Sequence, residues 1–247
     1  MNRFASAFAI SALAFAASAA SAQDLTITYR MGDGQTASHY FTKDRVRMST
    51  GRTDTIVDLA SGRIVSLDNE KKQYFEMTID EIEAAMKGAS AQMEQAMAQV
   101  PPAMRAQMEK MMGGAAAEVT LTKGGTKTIA GYSCQLYTIT MGQNVSQESC
   151  HTTAITPPFD PGAFKKLSRA SMPMMQGADK FVAKLSEIQG LSLMENTTMS
   201  MMGRKNVVSM EATEVKKGPV PASVFDMPAG YKKVESPLKQ MGRMGGR

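Results

Sequence analysis

Leu25, Ile27, Tyr29 and Met31 alternate with Thr26, Thr28 and Arg30. That is the period of a half-buried strand. Asp33-Gly34 follows as a type I′ hairpin signal. Five more short strands are predicted at 35–42, 45–49, 53–59, 63–68 and 72–77, separated by Lys43-Asp44, Gly51-Arg52, Ser61-Gly62 and Asn69-Glu70-Lys71. Links this short make each strand antiparallel to the one before it. Residues 25–77 therefore read as a six-stranded meander with one apolar face.

At Thr78 the period changes. Thr78-Ile79-Asp80-Glu81 has the form of a capping box. Ile82, Met86, Ala89, Met93, Met97, Val100, Met104, Met108 and Met111 then recur at steps of three and four. That is one continuous apolar helix stripe. Pro101-Pro102 breaks it, so the pattern predicts a helix to about Gln99, a kink, and a second helix from Pro102 to about Met112. Strands resume at 116–123, 132–141 and 145–155. Short helices are expected at 163–172 and 178–189, and two last strands at 191–201 and 205–216. The fold class is mainly β (α+β). About eleven antiparallel strands curl into a half-open barrel, and the kinked, methionine-rich helical segment covers the concave face as a lid.

The N-terminus reads as a signal peptide over residues 1–22: Arg3, a short apolar run from Phe4 to Ala17, and Ala20-Ser21-Ala22 before the cut. The mature domain is expected over 23–234 and a disordered basic tail over 235–247. Arg3 is the only charge in the leader, so cleavage lowers the net charge of +5 by one. Lys232, Lys233, Lys239, Arg243 and Arg247 face only Glu235 near the C-terminus, which leaves the body neutral. A neutral body argues against nucleic-acid binding. The tail allows weak contact with a membrane surface.

Cys134 and Cys150 are the only cysteines, and a secreted chain meets oxidising conditions, so a disulfide is expected. If 132–141 and 145–155 form a hairpin centred on Gly142, the two cysteines face each other directly.

Four stretches resemble a known family. They are Thr55–Asp68 (TIVDLASGRIVSLD), Lys71-Lys72-Gln73-Tyr74, Ile129–Cys134 (IAGYSC) and Val220–Val234 (VPASVFDMPAGYKKV). They are similar to the bacterial family of unknown function numbered 4412, whose members resemble the periplasmic lipoprotein carriers LolA and LolB. The resemblance implies an eleven-stranded half-open barrel with a helical lid over an apolar cavity. It implies no ligand and no residue role.

Twenty-three methionines stand against two histidines and no tryptophan. The methionines read in three ways. They fill a core, line an adaptable apolar site, or bind Cu(I) through their soft thioethers. On the second reading Ile82, Met86, Met93, Met97, Val100, Met104 and Met108 contact a hydrophobic small molecule or lipid. On the third, Met93, Met97, Met104 and Met108 are the metal ligands, with His39 and His151 as possible additions. No GxSxG, HExxH or phosphate loop is present. The sequence therefore predicts a non-enzymatic secreted, periplasmic carrier without cofactor. Copper binding and a ligand-free structural or partner-binding module are the alternatives.

Overall fold

The structure is a computed structural model and describes residues 23–101, 104, 118–160, 162–163, 166, 178–201 and 204–239. The leader and most of the helices expected at 102–112 and 163–172 fall outside these residues.

The meander forms as β1 (Leu25–Met31), β2 (Thr36–Phe41), β3 (Arg45–Ser49), β4 (Thr53–Asp58), β5 (Arg63–Asp68) and β6 (Gln73–Thr78). Helix α1 (Ile79–Ala98) follows, then β7 (Val119–Ile129), β8 (Tyr132–Met141), β9 (Val145–Thr152), α2 (Ala178–Leu185), β10 (Leu191–Met201) and β11 (Arg204–Lys217). A 3-10 turn (Ala222–Phe225) and β12 (Lys232–Lys233) end the fold. All twelve strands form one open sheet, ordered β12-β6-β5-β4-β3-β2-β1-β11-β10-β9-β8-β7. Only β12 runs parallel to its neighbour, β6.

The β1–β2 connection departs from the expected two-residue turn. Gly34 has φ +83° but Asp33 is not left-handed, and a type I′ turn needs both. Instead the Asp33 carboxylate accepts from the Gln35 N–H at 3.0 Å, and the Gly34 N–H donates to the Met31 carbonyl at 2.9 Å. Side-chain capture of the backbone widens the loop and delays β2 to Thr36.

The expectation of a single apolar face is also corrected. Adjacent residues Ile56 and Val57 in β4, and Ile64 and Val65 in β5, are all buried, so both faces are covered. On one face Val57, Ile64 and Met77 pack against Ile79 and Ile82 of α1. On the other, Ile56, Val65 and Leu67 lie under Val220 and Phe225 of the C-terminal segment. A buried polar chain fastens that segment. Arg47 bonds both the Val224 carbonyl and the Asp54 carboxylate. Asn69 donates to Asp54 at 3.3 Å and accepts from the Tyr231 hydroxyl at 2.8 Å. The chain expected to leave the fold at 235 stays docked to Lys239. Ser236 is buried, Leu238 packs beside Ile82, and Lys239 lies 3.5 Å from Glu81. The two-residue strand β12, which the sequence pattern was too short to show, raises the count from eleven to twelve.

The second half of the sheet curls sharply. In a flat sheet β7 and β11 would lie about 19 Å apart, at four strand spacings. Yet Lys127 of β7 sits 2.7 Å from Glu211 of β11, and Lys217 lies over the Tyr132 ring at 5.5 Å. β7 reaches Ile129, past the expected end at 123, because its register shifts between Lys123 and Thr126 and lets the strand bend through Gly124-Gly125. The main core gathers under this curl. Leu25, Ile27, Tyr29, Phe41 and Val46 join Leu193, Cys134 and Cys150. Ile155 and Phe159 also enter it from the loop after β9, which ends at Thr152 and not at 155.

Cys134 and Cys150 form the expected disulfide, with Cα atoms 5.4 Å apart. Their register differs from the expected one. Leu136, not Cys134, lies opposite Cys150, so the bridge is diagonal. The loop Gly142-Gln143-Asn144 centres the hairpin on Gln143, one residue later than Gly142.

The Arg47–Asp54 pair gives a stability test. Asp54 is 3% exposed, so Asp54→Ala strands a guanidinium beside apolar groups. Urea denaturation should show a loss of about 3–5 kcal/mol. The double variant Arg47→Met/Asp54→Leu should lose clearly less, because no charge is left unpaired.

Candidate functional site: the concave floor

Helix α1 is held at its start. The Thr78 hydroxyl accepts from the Glu81 N–H at 3.1 Å, and Glu81 accepts from the Thr78 N–H at 2.9 Å. This is the expected capping box. Among the described side chains, part of its apolar stripe is withdrawn from water. Ile82 is buried and Ala85, Ala89, Met97 and Val100 are half-buried, whereas the other described positions from 80 to 99 are exposed. The described contacts of α1 with the sheet are those of Ile79 and Ile82. Further along the chain, Met104 is 56% exposed. Met86 and Met93 lie in α1, and Met108 lies outside the described residues.

Ile82 contacts the face of the sheet that also carries Tyr29, His39, Phe41 and Val46, because Val46 pairs with Val57 across β3 and β4. We call it the concave floor. Its half-buried members are Met31, Met48, Phe75, Met77 and Met210. Register links one row across the sheet: Met31 opposite Met210, Met210 opposite Glu195, Glu195 opposite Ser149, Ser149 opposite Tyr137, and Tyr137 opposite Lys123 at the edge. The floor is thus apolar on the meander side and holds a polar island beside β10.

Burial governs the charge of that island. Tyr29 stacks on His39 at 4.6 Å and donates to the Ser192 carbonyl at 3.2 Å. Burial, and then the nearby Glu195 charge, push the Tyr29 phenol upward. Burial lowers His39 to about 4. It also raises Glu195, partly offset by a hydrogen bond from the Ser192 hydroxyl. His151 is lowered by burial, offset by the Gly190 backbone. It lies 3.1 Å from the Ser149 hydroxyl, and its ring meets Tyr137 edge-on at 5.9 Å. Both histidines are therefore neutral near pH 7.

The described residues contain no group of three His, Cys, Asp or Glu side chains placed to hold a metal. Of the four methionines in the copper reading, Met97 is half-buried and Met104 is exposed. Sequence reasoning put the contacts on α1 and missed the floor residues Met48, Phe75, Met210 and Glu195. One signal was available. Glu195 interrupts the apolar start of the strand Leu191-Ser192-Leu193-Met194.

The family description "Domain of unknown function (DUF4412)" matches residues 15–231. The chain belongs to this family. Among solved structures, this DUF4412 protein is similar to an uncharacterized conserved protein from Thermus thermophilus. The two are 8% identical, with 86% of this chain and 90% of that one covered and a TM-score of 0.44. It is also similar to PNGF-II, at 14% identity over 92% of this chain and 33% of that one, with a TM-score of 0.42. MucB in complex with MucA(peri) is 12% identical over 87% of this chain and 57% of that one, at a TM-score of 0.35. No curated protein matches the sequence.

His39 supplies a pH test. Its folded pKa of about 4 lies below the unfolded 6.5, so the fold favours the neutral ring. The stabilisation is complete above 6.5 and is lost as pH falls toward 4, because only the unfolded chain takes up the proton in that window. Between pH 7 and 4 the unfolding free energy of wild type should therefore fall by on the order of 3 kcal/mol more than that of His39→Phe. A constant gap would contradict a buried neutral His39.

Proposed function

We propose that this DUF4412 protein binds and carries a hydrophobic small molecule or lipid on the concave floor, outside the cytoplasm, without catalysis or cofactor. One observation carries the reading: Met31, Met48, Phe75, Met77 and Met210 remain half-buried on the face over which α1 starts. A filled core would bury such side chains fully, as it does Leu25, Ile27 and Val46 on the same face. Thioethers adapt to varied apolar partners, and Ile82 of α1 packs on this same face. The disulfide suits an oxidising compartment, in keeping with the leader read at residues 1–22.

Titration with a neutral fluorescent lipid probe tests this. Wild type should bind it. Phe75→Asp should weaken binding at least tenfold, because an unpaired charge in an apolar site costs several kcal/mol. Phe75→Leu should bind nearly as wild type. Both variants should keep the wild-type far-UV dichroism. Equal affinity of a folded Phe75→Asp would remove the floor from the site.

A further inference from the structure

Glu195 is the one acidic side chain in the middle of the row from Met31 to Tyr137, and its row neighbours are Met210 and Ser149. No cation among the described residues pairs with it. Lys123 stands on the same row in the edge strand β7, and no ion pair joins it to Glu195. The other polar groups about Glu195 are neutral: Tyr29, the Ser192 and Ser149 hydroxyls, and the rings of His151 and His39. The side chain itself is half-buried, so a ligand on the floor can reach it.

We infer that Glu195 selects the polar end of the ligand, so that the floor takes an amphiphile with a cationic amine head and turns away one with a carboxylate head. This rests on the reading of the floor as an apolar binding surface. The physical case is direct. A carboxyl among neutral groups gains a partner when an ammonium arrives, and that pairing is stronger away from bulk water. A second carboxylate would instead sit beside the first, with no described cation to separate them. The half-buried phenol ring of Tyr137 suits an ammonium as well. The meander side of the floor, with Met48, Phe75 and Met77, then takes the alkyl chain. Burial that disfavours ionised Glu195 in the empty protein makes it a group whose charge is restored by the right partner.

The test uses three amphiphiles with one chain and three heads: dodecylamine, dodecanol and dodecanoate. Each displaces a neutral naphthylamine dye from the full mature chain at neutral pH, below micelle formation. Dodecylamine should displace the dye at about tenfold lower concentration than dodecanol, a difference of about 1.4 kcal/mol, with dodecanoate weakest. In Glu195→Gln the amine and the alcohol should displace the dye at equal concentrations. Three results overturn the inference. The first is dodecanoate matching dodecylamine on wild type, a result that needs no variant. The second is an amine preference that survives in Glu195→Gln. The third is dodecanol binding with no preference for the amine, in which case the carrier reading stands alone. Failure of all three amphiphiles to displace the dye rejects the carrier reading together with the inference.

Discussion

An open sheet of twelve strands has two faces to cover, and the way the chain divides that task decides the rest of the structure. The C-terminal segment takes one face of the meander and is locked there by Arg47, Asp54, Asn69 and Tyr231. The other face is shared. The loop bearing Ile155 and Phe159 covers one part of it, the first turn of α1 another, and Phe181 of α2 packs on Ile139 and Met141 at the β8 end. The chain's own end thus covers the outer face of the meander. The segments that carry the family resemblance, 55–68 and 220–234, are those that pack on each other across the outer face.

Alternation with period two made β1, β2 and β3 legible, and short turn signals between apolar or β-branched runs marked the other strands of the meander. The capping box at Thr78 and the stripe through Ile82, Met97 and Val100 were legible for the same reason at helical period. What escaped the pattern was non-local. Ile56 beside Val57 breaks strict alternation because a distant segment, 220–231, buries the second face. The cysteine register slipped by two positions because the hairpin turns on Gln143, a choice made by loop geometry and not by hydrophobicity. The polar island was out of reach because Tyr29, His39 and Glu195 come from three strands and meet only through the β1–β11–β10 pairing. The methionines of α1 drew attention because they are consecutive in the chain, whereas Met31, Met48 and Met210 share a floor only in the fold.

The two halves of the floor differ in chemistry. Thioether and phenyl groups on the meander offer an apolar, deformable surface with no fixed charge. The β8–β10 side offers hydroxyls, one neutral imidazole and one acid whose ionisation burial resists. Such a gradient, apolar at one end and polar at the other, with no cation paired to Glu195 among the described residues, matches an amphiphile better than a plain hydrocarbon. It also accounts for burying Glu195, a cost that packing alone would not require.

Native mass spectrometry of the mature protein, purified from its own compartment without detergent, tests the central claim most directly. The account predicts a population heavier than the disulfide-bonded chain by the mass of a non-covalent organic amphiphile, released on denaturation. A single species at the mass of the bare chain, or one heavier only by copper, would contradict it.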